Sequence, residues 1–198
     1  MMESKNSVKP TIINILNQMS ELLNDIDDNT VNHFINMIVN SRSIFLVGAG
    51  RSGLVAKAFA MRLMHLGFNV YVVGETITPA VKPGDLVIAV SGSGETKSTL
   101  IVAQTAKELG VKVVAITSFP ESSLGKIADC VVKIKGRGLK KDMDYLSGQL
   151  RGTHEPLTPL GTLFELSSLV FFDAVITALM DLYRIEERDL RIKHTNLE

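Results

Sequence analysis

Ser91-Gly92-Ser93-Gly94-Glu95-Thr96 sets three hydroxyls, two glycines and a carboxylate directly after the apolar run Leu86-Val-Ile-Ala-Val90. Glycine lets backbone N–H groups turn toward a ligand without a Cβ in the way, and hydroxyls beside a helix N-terminus add further donors. That is the chemistry of a phosphate pocket, so Ser91, Gly92, Ser93, Gly94, Glu95 and Thr96 are expected to hold a phosphoester. The plainer reading is a Gly/Ser turn with a capping residue, Glu95 offsetting the positive end of the helix. A second loop, Gly48-Ala-Gly50-Arg51-Ser52-Gly53, follows the run Ile44-Phe-Leu-Val47. Its glycines have the G-x-G-x-x-G spacing of a dinucleotide fingerprint, which keeps that reading open. Arg51 and Ser52 favour a sugar phosphate instead, because their polar heads crowd a pyrophosphate that needs bare backbone. In the plainer reading this loop is a tight turn with Ser52 as the N-cap. No G-x-x-x-x-G-K-[ST] run occurs, which argues against an NTPase, and no His or Cys spacing supports a zinc site.

The elements that must position these loops are legible from periodicity. Five short β-branched runs, 44–47, 70–73, 86–90, 111–116 and 130–134, have the near-continuous apolar character of parallel strands buried on both faces. Helical patterns from Ser52 to Leu66 and from Glu95 to Leu109 lie between strands, each followed by glycine, Gly67 and Gly110. Strand–helix alternation predicts a doubly wound α/β sheet, in a three-layer αβα sandwich with five parallel strands. In such sheets ligands bind at the carboxyl ends of the strands near a switch in strand order, so both glycine loops are expected on one edge. Two amphipathic helices precede residue 43, the first with Ile12, Ile15, Leu16, Met19, Leu22 and Leu23 on one face, the second with Val31, Phe34, Ile35 and Ile38. A helix from Leu160 to Tyr183 and another from Glu186 toward His194 close the pattern.

The 198 residues, 45% hydrophobic, are expected to form a single domain. It divides into N-terminal helices (1–42), a core sheet (43–135), an irregular active-site loop (136–159) and C-terminal helices with a tail (160–198). Lys plus Arg and Asp plus Glu balance at 21 each, so nothing indicates a nucleic-acid face and anion specificity must be local. Cys130 is the one cysteine. It excludes an intrachain disulfide, sits in an apolar run where packing is its expected role, and fits a reducing cytoplasm. The first residues lack the pattern of a signal or transit peptide. Glu165, Asp173 and Asp181 interrupt the apolar stretch Leu160–Leu182, which reads as a core helix with no membrane role.

Gly48-Ala-Gly-Arg-Ser-Gly53, Ser91-Gly-Ser-Gly-Glu-Thr96 and Pro159-Leu-Gly-Thr-Leu-Phe-Glu165 together resemble the SIS (sugar isomerase) domain over nearly the whole chain. Within that family, the run Lys57-Ala-Phe-Ala-Met-Arg-Leu-Met-His-Leu-Gly67 and the ending His194-Thr-Asn-Leu-Glu198 are similar to the 6-phospho-3-hexuloisomerases. The resemblance implies the flavodoxin-like SIS fold, a phosphosugar substrate, and isomerisation between 3-hexulose 6-phosphate and fructose 6-phosphate. It implies no redox cofactor, no metal and a dimer or tetramer. Moving a carbonyl between C3 and C2 requires a base at carbon, and similarity to the family motif puts Glu165 in that role; otherwise Glu165 offsets the helix dipole. Arg51 is suited to the enediolate oxygens or to the phosphate. The resemblance suggests that His194 reaches a neighbouring subunit's pocket. His194 or His154 could assist ring opening or shuttle a proton, whereas His33 and His65 read as surface or packing residues. Thr195 stands where the family tail has Ala, a departure not read as loss of activity. Two other functions use the same anion loop: an aldose–ketose phosphate isomerase, and a sugar-phosphate sensor without chemistry. Neither the length nor the charge of a helix-turn-helix domain is present, and Glu165 is, which favours catalysis over sensing.

Overall fold

The structure, a computed structural model, describes residues 8–136 and 161–192. Its elements are α1 (Val8–Leu23), α2 (Asp28–Val39), β1 (Ile44–Gly48), α3 (Gly50–Leu66), β2 (Val70–Val72), β3 (Leu86–Val90), α4 (Lys97–Glu108), β4 (Lys112–Thr117), α5 (Ser123–Ile127), β5 (Cys130–Lys133), α6 (Thr162–Tyr183) and α7 (Glu187–Ile192). All strand pairs are parallel and the order is β2-β1-β3-β4-β5, the flavodoxin-like arrangement.

Alternation along the strands divides the core in two. Ile44, Leu46, Leu86, Ile88, Val90, Val114 and Ile116 face a cluster completed by α2, α3 and α6, while Phe45, Val47, Val87, Ala89, Val113 and Ala115 face α4 and α5. This is the expected αβα sandwich. On α4 the sheet-facing residues are small, Ala103 and Ala106, which lets the helix lie close to the strands. By length and composition α6 would suffice to cross a bilayer. Instead it directs Phe171, Phe172, Val175, Ile176 and Leu179 into the core, as expected of a core helix.

The helices α3 and α6 are joined by Phe59 and Phe172, whose rings stack with centroids 4.1 Å apart and planes within 6°. Each ring sits about two and a half to three turns downstream of its helix start, so the two N-termini come together at one end. Beneath the other end of the sheet, Asp85 is almost wholly buried and accepts from Arg42 Nε (3.1 Å), Arg42 Nη2 (2.9 Å) and Lys82 N (2.7 Å). That arrangement ties the approach to β1 to the approach to β3.

Several boundaries differ from expectation for physical reasons. Helix α3 starts at Gly50, and the extended N-cap is Ala49, not Ser52. The start is earlier because β1 and α3 meet backbone to backbone: a Cβ on Gly53 would lie 2.7 Å from the Gly48 carbonyl oxygen. Helix α4 starts at Lys97, two residues late, because residues 91–95 fold back on themselves through Gly94 N to Ser91 O (3.1 Å). Helix α5 is too short to leave a periodic signal. The α1 stripe is only partly used: Met19 is buried, but Ile12 and Leu16 are exposed. Apart from Gly136, the expected active-site loop 136–159 lies outside the described residues, as do His154 and His194.

Cys130 is buried, and burial together with the Asp129 charge pushes its thiol up, which suits a packing role. Burial would also push the neighbouring Asp129 carboxyl up. It is outweighed by hydrogen bonds from Lys107 Nζ (2.8 Å), Val113 N (2.8 Å) and Lys112 Nζ (3.1 Å), which hold the group below the usual carboxylate value. A carboxyl held low in the folded state contributes stability above its unfolded pKa of about 4 and loses that contribution as pH falls through the lower folded value. Asp129→Asn should therefore cost about 1–2 kcal/mol at neutral pH. Chemical denaturation should show the gap to wild type shrinking below about pH 4. A gap that does not change with pH would mean that Asp129 acts through shape alone.

Candidate active site

Strand order alone brings the two glycine loops together. Gly48 and Val90 are direct partners across β1 and β3, so the chain leaves both strands at the same level. From there α3 crosses to one face of the sheet and α4 to the other, which opens a crevice at the switch point. The N-terminus of α6 joins the same edge beside α3. The three N-caps there, Ala49, Thr96 and Gly161, make no side-chain capping hydrogen bond, whereas α2 and α5 are capped by Asp27 and Ser122. Uncapped N-termini leave N–H donors and a positive partial charge for an anion.

The loop after β3 is braced from within. Ser91 is buried, and its hydroxyl accepts from Gly94 N (3.1 Å) while donating to Thr96 Oγ1 (3.0 Å). Ser93 Oγ accepts from Glu95 N (3.2 Å). With an acceptor lone pair of Ser93 and of Thr96 already engaged, the proton of each hydroxyl is free to point at a ligand. Gly94 has φ +67°, and a Cβ there would lie 1.9 Å from Ser122 Oγ, so both conformation and space require glycine. Glu95 turns inward to support the loop: its carboxylate accepts from Ser123 N (2.7 Å) at the start of α5. Its expected part in phosphate binding therefore reduces to shaping the loop.

Glu165 lies in the first turn of α6 with its side chain 12% exposed, and Arg51 Nε donates to its Oε2 from the first turn of α3. The Arg51 side chain is 60% exposed, so the pair has a largely buried side and a solvated side. Gly161, at φ 81°, makes room for the carboxylate: an added Cβ would lie 2.9 Å from Glu165 Oε1. Helix dipole and guanidinium both complement the carboxylate charge, each contribution being on the order of 0.3–1 kcal/mol at a partly exposed position. Chemically, a carboxylate that can accept a proton, a solvated guanidinium and a donor-rich loop share one crevice.

Ser52 lies within the first turn of α3, and its hydroxyl makes no hydrogen bond among the described residues. Ser91, Gly92, Ser93, Gly94 and Thr96 form one loop, and Arg51 meets Glu165. His65 is buried and His33 exposed on α2, as their helical positions suggest. Sequence reading missed Thr117, Ser118 and Ser122. Thr117 is buried with its hydroxyl toward Gly92 O (3.4 Å), Ser118 N donates to the same oxygen (3.1 Å), and Ser122 packs against Gly94. The available signal was Thr117-Ser118 ending the next strand in the sheet, at the level where Ser91 ends its own. Among the described residues, no group of three His, Cys, Asp or Glu could hold a metal.

The model of the SIS domain matches residues 37–137. A protein of Bacillus subtilis named 3-hexulose-6-phosphate isomerase is 44% identical, over 94% of this chain and 97% of its own length. An uncharacterized protein of Aeropyrum pernix is 51% identical, over 89% of this chain and 85% of its own. Among solved structures, a Methanococcus jannaschii protein with an inferred 3-hexulose-6-phosphate isomerase function superposes with a TM-score of 0.76 at 35% identity. That match covers 96% of this chain and 98% of the other.

Removing one hydroxyl from the loop costs a hydrogen bond to a charged ligand, on the order of 1.5–3 kcal/mol. Ser93→Ala and Thr96→Ala should each weaken binding of inorganic phosphate by roughly 10-fold or more in titration calorimetry. Unaltered affinity in both variants would reduce the loop to a turn with a cap.

Proposed function

The chain belongs to the SIS domain family, and we propose that it interconverts 3-hexulose 6-phosphate and fructose 6-phosphate. It is an isomerase, in keeping with the name its relatives bear. The observation that carries the reading is the shared crevice: a donor loop fit for a phosphoester after β3, and a carboxylate paired with a solvated arginine across from it.

The substrate phosphate takes the Ser93 and Thr96 hydroxyls and the open N–H groups of the loop, with Ser52 at its flank. Arg51 then exchanges Glu165 for the sugar oxygens on C2 and C3. Released from its partner, the Glu165 carboxylate removes the proton from C2 of the 3-ketose. The C2–H electrons form the C2–C3 double bond, and charge gathers on the C3 oxygen opposite the guanidinium. Return of the proton to C3 while the C2 hydroxyl loses its own leaves the carbonyl at C2, giving fructose 6-phosphate. The reverse reaction begins with ring opening and removal of the C3 proton. We assign ring opening and the transfer between the sugar oxygens to His194, with His154 as the other candidate.

We also infer a cytoplasmic homo-oligomer, dimeric or tetrameric. The exposed apolar side chains Ile12, Ile13 and Leu16 on α1 and Leu54, Met61 and Met64 on α3 support it, as surface that a second copy would cover.

In a coupled assay, 3-hexulose 6-phosphate made in place from formaldehyde and ribulose 5-phosphate should be converted to fructose 6-phosphate. Absence of turnover would sink the substrate assignment. Glu165→Gln should lower kcat by about 10²–10⁴-fold, the contribution of a positioned base, while inorganic phosphate still binds. An unchanged kcat would remove Glu165 from the chemistry.

A further inference from the structure

We infer that Phe164 is a positioning residue, which fixes the base relative to the phosphate anchor by bearing on Gly92; this rests on Glu165 being the base and the Ser91–Thr96 loop the anchor. Phe164 immediately precedes Glu165 on α6 and is 5% exposed. Its ring lies flush against the loop: a Cβ added to Gly92 would be 3.0 Å from Phe164 Cδ1 and 3.2 Å from Cγ. From another direction a Cβ added to Gly136 would be 3.3 Å from Phe164 Cβ. The side chain therefore lies between two stretches of bare backbone, Gly92 against the ring and Gly136 against its Cβ, and backbone gives much less than a side chain would.

Those walls are tied to each other. Gly92 O accepts from Ser118 N (3.1 Å), and Ser118 Oγ accepts from Gly136 N (3.1 Å) while donating to Ile134 O (2.8 Å). Gly92, Ser118, Gly136 and Phe164 thus close a circuit of contacts at the carboxyl edge of the sheet. The Phe59–Phe172 stack holds α6 two turns lower, so it fixes the helix axis but not the first turn. Adjacent helical residues are about 100° apart, so a shift of the Phe164 ring rotates or tilts that turn and carries the Glu165 carboxylate with it.

Phe164→Leu keeps the residue apolar and near its volume while removing the flat ring. Displacing a reacting group by about 1 Å can cost on the order of 10²-fold in rate. Phe164→Leu should lower kcat for 3-hexulose 6-phosphate by about 10- to 100-fold, with the Kd for inorganic phosphate within about 2-fold of wild type. Gly92→Ala should lower kcat by a similar factor in the wild-type background and by less than about 2-fold in a Phe164→Ala background, where the Cγ and Cδ1 it would strike are gone. The thermal midpoint of each variant confirms that it is folded at the assay temperature. A kcat within about 2-fold of wild type in Phe164→Leu, an equal loss in kcat and phosphate affinity, or additive effects in the double variant would overturn the inference. Glu165→Gln in the same assay separates the two readings. If it abolishes turnover while Phe164→Leu runs at full rate, the positioning role fails and the base survives. If it runs at full rate, the base reading fails, and this inference with it.

Discussion

Everything at the carboxyl edge follows from the pairing of Gly48 with Val90. Two adjacent parallel strands that end at the same level, with helices departing to opposite faces, leave a crevice that neither helix can fill. Gly48 and Gly53 let β1 and α3 meet with only backbone between them, and Gly94 folds its loop tightly enough to pack under Ser122. The outcome is that α3, α4 and α6 all start at this edge without a side-chain cap. A chain with no net charge thereby acquires a local site for an anion from backbone alone.

The resting charges balance one another. Arg51 occupies the first turn of α3, a position that the helix dipole makes unfavourable for a cation, and Glu165 occupies the first turn of α6, where the same effect favours an anion. Their ion pair relieves the first position at the expense of occupying the second. Because the guanidinium is mostly solvated and the carboxylate is not, a dianionic ligand in the crevice competes for Arg51 and leaves Glu165 in place. In the proposed reaction, substrate recognition and readiness of the base are thus properties of one pair of side chains.

The sheet was legible because buried parallel strands write themselves as unbroken β-branched runs, and all five fall within a residue of where periodicity puts them. The loop 91–96 and Glu165 stand out in the sequence because their residue types are uncommon in those contexts, and the structure brings both to the same edge of the sheet. What stayed hidden depended on tertiary approach. That Ala49 rather than Ser52 caps α3 follows from the closeness of Gly48 and Gly53, and that Glu95 turns away to Ser123 follows from the position of α5. Neither leaves a local trace. Thr117 and Ser118 look like an ordinary strand end until β4 is known to lie beside β3. The apolar stripe of α1 places Ile12 and Leu16 on one face, and both lie at the surface, since amphipathicity specifies a face and not what covers it.

The placement of α6 bears on how the chain is made. This helix covers the larger core cluster and grips α3, yet its first contact to that helix spans 114 residues of sequence. During synthesis the five strands leave the ribosome before α6 exists, and the sheet face that α2 and α3 cover only in part stays half bare until residues 162–183 follow. Vectorial folding of this protein therefore passes through a sticky half-covered sheet, the kind of species on which holding chaperones act. The element that presents Glu165 is also the one whose arrival ends that exposure.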